Sequence, residues 1–438
     1  MTHHDAIVIG ADVAGLAAAA CLAKAGKRVL LLEREAAPAE PIGPVYALDP
    51  MLVSQLKLAK KGLRFVQRDL PLAFPSPEMT VLGRDTHDAA LALAALGTND
   101  ARAWALFRRE LYSLARALRG WWWSGLGEGA PVWVLEHAKN KARFARLRLM
   151  GADAFLAEHF ESEALIAALL FDASAGGFHV SEPGSALALV WRAAQEMAGL
   201  EGAAAIPAPG TLIWSLLKAV GDTDFRCCAE VSAILTGEGR VTGVRLKSGE
   251  KLRAGLVLSS LDRSVTMVLA GAPPAPAPRI GEARLLISLK EKIAFPPIRL
   301  IHAERPDIFA DAHEAARLGR LSPELPMEFA AMAPDRIAVT VRPVPAMLSR
   351  ENRVQLAARG LKELTRLVPG AAALVRDLRF QISAPARASL NHLVAPPLAR
   401  VQTPFTGLYL CGAAAEPVTS LSGHAARIAV EAALKSQK

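Results

Sequence analysis

Asp5-Ala6-Ile7-Val8-Ile9-Gly10-Ala11-Asp12-Val13-Ala14-Gly15 lies at the start of the chain and decides its fold. The apolar run Ala6–Ile9 reads as a buried parallel strand. The alanine-rich run from Leu16 to Ala25 reads as a helix stopped by Gly26, and Val29–Leu32 as a second strand ending at Glu33. Strand, tight turn, helix and then an acid closing the next strand is the pattern that binds dinucleotides. Its first glycine admits the turn, its second lets backbone approach a pyrophosphate, its third lets helix pack on strand, and the acid takes a ribose hydroxyl. Gly10, Gly15 and Glu33 fill three of these roles, but the pyrophosphate position is Asp12. A carboxylate ~4 Å from a phosphate, at an effective dielectric of ~20, is repelled by ~4 kcal/mol. That is roughly a thousandfold in affinity. The alternative is an Asp12 that turns away or carries a proton.

The chain has 438 residues, a length that suits two interleaved domains. With 52% hydrophobic and 21% charged residues it can bury a large core and is not a disordered chain. The formal charge of +9 is moderately basic. No zinc-finger, helix-turn-helix or RNA-stacking pattern accompanies it, so nucleic acid is not an expected partner. The cysteines, Cys21, Cys227, Cys228 and Cys411, form neither a disulfide framework nor spaced metal ligands, and no metal site is expected. This usage fits a reducing cytoplasm. Three of them sit among apolar or small residues and are expected in the core, with the vicinal pair Cys227-Cys228 on a buried strand. The run Ala6–Ala23 lacks a basic leader region and is broken at Gly10 and Gly15, so it does not read as a signal peptide. No stretch of about 18 uninterrupted apolar residues follows, and no transmembrane helix is expected.

Beyond Glu33, the loop Ala36–Pro44 is too proline-rich for regular structure. From Ala101 to Met197 the pattern is mainly helical, with apolar spacing around Leu106, Leu111 and Leu114. A helix at Thr211–Val220 then leads to strands around Cys227–Leu235, Val241–Leu246 and Leu256–Ser259, joined as a meander by two glycine turns. The proline linker Ala272–Pro278 separates a further region whose stretches Leu285–Leu289 and Ile337–Val341 read as a sheet floor. The chain closes on a strand at Gly407–Cys411 and a helix at Gly423–Leu434.

Three separated segments carry a family resemblance. The first runs from Ile7 through Gly15-Leu16-Ala17 to Leu32-Glu33-Arg34. The second runs from Phe160-Glu161-Ser162-Glu163 through Pro183-Gly184-Ser185 to Val257-Leu258-Ser259-Ser260-Leu261-Asp262. The third runs from Gly407-Leu408-Tyr409-Leu410-Cys411-Gly412 through Pro417 and Ser422-Gly423 to Arg427. In this order they resemble the phytoene-desaturase-like FAD-dependent oxidoreductases of the amine-oxidase and glutathione-reductase superfamily. The resemblance implies an α/β fold: a Rossmann-like FAD-type domain assembled from discontinuous segments, with an inserted α+β substrate-like domain. The dinucleotide-binding parts would be 1–75, 206–275 and 401–438. The substrate-like parts would be 76–205, helical, and 276–400, sheet. It also implies FAD as cofactor, held by Gly10, Asp12, Gly15, Glu33 and Arg34, by the backbone of Val231 at the adenine, and by Gly412 and Gly423 near the flavin. A helix N-terminus such as the one after Gly423 suits a reduced, anionic flavin.

The departures from the family pattern fall where the cofactor would lie. Asp12 replaces a glycine, and the loop after Glu33 keeps only Gly43 of a glycine pair. The helix at Thr211 follows Ala205-Ile206-Pro207-Ala208-Pro209-Gly210 in place of a glycine-rich turn. The family's Gly-Gly-Gly is Val418-Thr419-Ser420 and its Thr-His is Ala415-Glu416. Two functions follow from different classes. One is hydride transfer from a lipophilic small molecule to flavin. The other is a retired homologue, a binding or regulatory subunit paired with a full-length flavin-binding relative.

Other features are weaker. Trp121-Trp122-Trp123, with Lys139, Lys141, Arg143, Arg146, Arg148 and Lys57, Lys60, Lys61, Arg64, suits a peripheral contact with the inner face of a membrane, a solvated cationic face over an aromatic core, or a partner-protein surface. Ser162 reads as a helix cap with Glu163 in its first turn. His424 stands just after Gly423, where a core or surface position competes with a place near the active-site helix. No catalytic residue is assigned.

Overall fold

In a computed structural model, residues 4–38, 40–45, 48–67, 70–76, 79–123, 138–198, 206–208, 210–276, 278–383, 397–415 and 422–437 are described. The side chains of 118–123 and 138–140 are outside that description, and so are residues 416–420. Trp121–Trp123 and Lys139 as side chains, and Glu416, Pro417 and Val418–Ser420 altogether, therefore lie outside the described residues, as do Ala205 and Pro209.

The opening motif folds as its pattern requires. Ala6–Ile9 and Val29–Leu32 are strands with every residue buried, and Val13–Lys24 is the helix between them. That helix buries Gly15 to Ala20 and Leu22. Burial all round marks a helix inside the protein, and its alanines let neighbours come close. It packs against the helices Thr211–Val220 and His424–Lys435. The five-stranded sheet has the order Leu408–Leu410, Val257–Ser259, Ala6–Ile9, Val29–Leu32, Asp224–Arg226, and every pair is parallel. Start, middle and end of the chain thus meet in one Rossmann-like sheet. A three-stranded antiparallel meander, Val231–Gly237, Arg240–Leu246 and Lys251–Arg253, extends it.

A second, mixed sheet of seven strands runs in the order Val375–Ser383, Ile280–Leu289, Arg336–Pro345, Met327–Ala333, Arg299–His302, Leu72–Phe74, Thr80–Leu82. The helices Asp307–Arg317 and Arg350–Leu367 accompany this sheet, and the helices within 98–123 and 138–198 have their own core around Phe107, Phe155 and Phe171. The fold is α/β with a parallel Rossmann-like sheet and a mixed substrate-type sheet. Leu72–Phe74 pairs in parallel with Arg299–His302 and so belongs to the mixed sheet.

Two local expectations are corrected. Cys227-Cys228 does not lie on a buried strand: the strand ends at Arg226, Cys228 takes φ +53° and is exposed, and Cys227 is half-buried. The chain turns there because the amides of Cys228 and Ala229 donate to the carbonyls of Glu35 and Glu33. Leu106 is 62% exposed; the buried stripe of its helix is Trp104, Phe107, Leu111 and Leu114. Ser162 does cap its helix, accepting from the Leu165 amide.

Candidate functional site

Three parallel strands end side by side at Ser260. Its amide donates to the Ile9 carbonyl, and its hydroxyl donates to the same oxygen at 3.2 Å. A Cβ on Gly10, whose φ is +91°, would stand 2.3 Å from the Ser260 hydroxyl oxygen. On Gly15 it would stand 1.9 Å from the Gly10 carbonyl oxygen, and on Gly412 2.2 Å from the Ser260 carbonyl oxygen. These three positions are closed to any side chain. They form the crevice at the carboxyl ends of the strands where α/β sheets bind their ligands. Ser260 was quoted in the motif without a role, because nothing in its spacing marks it as the meeting point of three strands.

Glu33 ties the turn to the second strand. Its carboxylate accepts from the Ala11 amide at 2.7 Å and the Glu35 amide at 3.0 Å. A carboxylate has about four acceptor positions, so two remain for a ribose diol. Arg34 points elsewhere: it is exposed and pairs with Glu35 at 3.0 Å. Val231 is half-buried at the first residue of the meander and packs with the apolar cluster of Ile9, Leu30 and Leu32.

Asp12 caps the first helix. Its carboxylate accepts from the Gly15 amide at 2.8 Å. The free N–H groups of a helix N-terminus are the ordinary seat for a phosphate, and here a side chain of the protein holds one of them. Asp12 is exposed. Loss of hydration to the neighbouring protein raises its carboxyl above the usual range, assisted by the Glu33 charge, against the pull of the Gly15 and Ala14 amides.

Gly423, φ +84°, starts the last helix, and a Cβ there would stand 2.4 Å from Leu52. His424 and Arg427 in its first turn are buried, and both face Asp49, whose amide donates to the Ser422 carbonyl. Arg427 Nε donates to the Asp49 carboxylate at 2.8 Å, and His424 Nδ1 is 3.4 Å from it. Asp49 also caps the helix Pro50–Gln55. Burial pushes its carboxyl up, but His424 and Arg427 more than reverse this and hold it at about 2. His424 is pushed down by burial despite Asp49, so it is a neutral core histidine in this network.

Between the loop after Glu33 and the mixed sheet, a cavity bounded by Glu40, Val45, Pro207, Gly210 and Met332 measures about 30 Å³. That is about the share of one liquid water molecule. The sheet face meeting this loop carries Leu286, Met332 and Ala338 against Ile42. Farther along it becomes ionic. Glu282 pairs with Arg284 and Arg342 at 2.6 Å each, and Arg299 pairs with Glu328 at 2.5 Å and with Asp172 at 2.7 Å. A Cβ on Gly43 would stand 2.7 Å from Arg284 Cδ, so the loop lies directly on that row. Lys141, Arg143, Arg146 and Arg148 are exposed, and Arg146 pairs with Glu158. Among the described residues, no helix is long and apolar enough to cross a membrane.

Residues 8–39 match the family described as NAD(P)-binding Rossmann-like domain. The chain is 28% identical over 322 residues to the rat pyridine nucleotide-disulfide oxidoreductase domain-containing protein 2, covering 61% of this chain and 54% of that protein. It therefore spans about half the length of the curated relatives it matches. Among solved structures it is similar to an oxidoreductase from Methanosarcina mazei, with TM-score 0.63 at 16% identity over 98% of this chain and 99% of the other. It is also similar to a putrescine oxidase bound to putrescine, with TM-score 0.62 at 14% identity over 100% and 99%. At these identities the structures speak for the fold. The matched motif describes a dinucleotide-binding Rossmann turn at residues 8–39.

Proposed function

We propose that the crevice at Gly10, Gly15 and Ser260 takes FAD and that the protein oxidises an organic substrate laid against the mixed sheet. The observation that supports this best is the Glu33 carboxylate, fixed by two backbone amides beside a turn closed to side chains, with acceptor capacity left for a ribose. When bound, flavin supplies the hydride acceptor. The chain's own contribution is to hold and exclude. Glu33 would hold the ribose, and the amides of the first helix would face the pyrophosphate. Gly412 keeps the last strand tight on Ser260. Neutral Asp12 would donate to a phosphate oxygen, whereas ionised Asp12 opposes it. The ionic row on the mixed sheet favours a substrate with a polar head over a bare isoprenoid hydrocarbon, since an apolar chain offers nothing to those charges.

A second reading is favoured by one specific feature. Asp12 already sits on the Gly15 amide, as an internal substitute for the phosphate, and the space beside the loop at Glu40–Val45 is small. On that reading the chain is a non-catalytic binding or regulatory subunit working with a flavin-binding relative.

Titration of FAD into purified protein, followed by flavin absorbance, separates the two. The first reading predicts saturable binding near one equivalent with micromolar or tighter affinity, tightening as pH falls. A flat difference spectrum at high micromolar FAD across pH 5 to 8 leaves the second reading.

A further inference from the structure

A cavity of about 340 Å³ opens in the helical region between the helices Thr98–Trp123 and Leu187–Ala198 and the hairpin Leu72–Phe74/Thr80–Leu82. Its volume is within the ~300–1,000 Å³ of small-ligand pockets. It shares no residue with the dinucleotide turn, and nothing in the motif at 8–39 accounts for it. Part of its lining is apolar and rigid: Trp104, Phe107, Leu111 and Leu189 are all buried.

The remainder is charged, and the charges do not balance. Among the described residues five arginines, Arg84, Arg108, Arg116, Arg192 and Arg299, line it against two carboxylates, Asp172 and Glu196, and a third, Glu328, holds Arg299 from behind at 2.5 Å. Asp172 is committed to Arg299 at 2.7 Å and stands 3.6 Å from Arg192. Glu196 is shared by Arg108 at 3.0 Å, Arg192 at 3.8 Å and the Tyr112 hydroxyl. Among the described residues Arg84 and Arg116 have no ion pair, and the buried Nε of Arg108 has no partner. Surplus guanidinium charge beside an aromatic wall is a definite chemical environment. A cation would be repelled, and a neutral hydrocarbon would leave buried donors unmet. A guanidinium fork instead matches the paired oxygens of a carboxylate or phosphate.

We propose that this cavity is a binding site for an amphipathic organic oxyanion, a short apolar chain or ring carrying one carboxylate or phosphate. Arg84 and Arg116 receive the oxyanion, with the Nε of Arg108 as a further donor, and the apolar body lies against Trp104 and Phe107. The site does not depend on flavin.

Isothermal titration of the full chain, without added flavin, with octanoate, octyl phosphate and octanol tests this. At least one anion is expected to saturate at one equivalent with affinity tenfold or more above octanol, and the tighter of the two identifies the head group. R84Q/R116Q changes two exposed side chains, so folding is preserved. It is expected to weaken anion binding at least tenfold while leaving octanol binding and FAD binding unchanged. L189W is expected to fill the cavity and abolish binding of all three at an unchanged thermal midpoint. Octanol binding as tightly as both anions, or anion affinity unaltered in R84Q/R116Q, would overturn the proposal. If L189W fails to fold, the double variant decides alone.

Discussion

Asp12 and Asp49 each cap a helix in the Rossmann-like domain, and the protein drives their carboxyls in opposite directions. Asp49 is buried, yet His424 and Arg427 hold it at about 2. Asp12 is exposed, yet lost hydration and the Glu33 charge raise it. The difference lies in the partner charges. A buried carboxylate with a guanidinium at 2.8 Å is part of the frame, whereas a carboxylate held by backbone amides has no opposite charge to offset its lost hydration. Asp49 therefore belongs to stability and Asp12 to ligand affinity.

The largest effect expected from this contrast is on stability. Asp49→Ala removes the cap of Pro50–Gln55 and leaves Arg427 and His424 facing a vacated site. Breaking one side of a buried pair costs about 3–5 kcal/mol, to be read from urea unfolding midpoints, with Asp12→Ala costing about 1 kcal/mol as an ordinary cap. Equal losses would erase the distinction. The pH dependence sharpens it. Because Asp49 is lowered in the folded state, its contribution is present above its unfolded value of ~3.9 and is lost as pH falls toward about 2. The stability gap between the parent and Asp49→Asn should close over that window. A gap constant from pH 6 to pH 2.5 contradicts the assignment.

A smaller loss is expected at Gly412. Alanine there puts a methyl 2.2 Å from the Ser260 carbonyl oxygen, so strand or turn must shift. Overpacking of this kind costs about 1–3 kcal/mol, measured as a fall in the thermal midpoint. The smallest effect is the pH dependence of ligand affinity. Because its carboxyl is raised, Asp12 takes up a proton at a higher pH than an ordinary carboxyl, and FAD affinity is expected to rise as pH falls, by flavin absorbance titration. A parent affinity that rises with pH would place the repulsion elsewhere.

Four strands of the parallel sheet were legible because their signal is local, a short buried apolar run beside a glycine turn or an alanine helix. The half-exposed edge strand Asp224–Arg226 carries no such run and was not read. The contact set at Ser260 was half legible, since Gly10, Gly15 and Gly412 carry roles in their motifs while Ser260 stands in its motif without one. The ionic structures were not legible at all. Asp172 and Arg299 are 127 residues apart, and Asp49 and His424 are 375 apart. No spacing rule reaches across such separations, and only the fold brings the pairs together. Leu106 was misplaced for a simpler reason: five residues from Leu111, it falls off the three-and-four spacing that Trp104, Phe107, Leu111 and Leu114 keep. Cys227-Cys228 was misplaced because apolar character suggested a strand where backbone bonds to Glu33 and Glu35 demand a turn.

FAD titration of Asp12→Gly beside the parent protein at pH 7.5 tests the central claim most directly. Glycine in place of this cap costs only a few tenths of a kcal/mol in stability, so the variant stays folded. Removing a repulsion of ~4 kcal/mol predicts FAD binding on the order of a hundred- to a thousandfold tighter, with flavin bands at one equivalent. Parent and variant binding FAD with equal affinity, or neither binding it, would contradict the account.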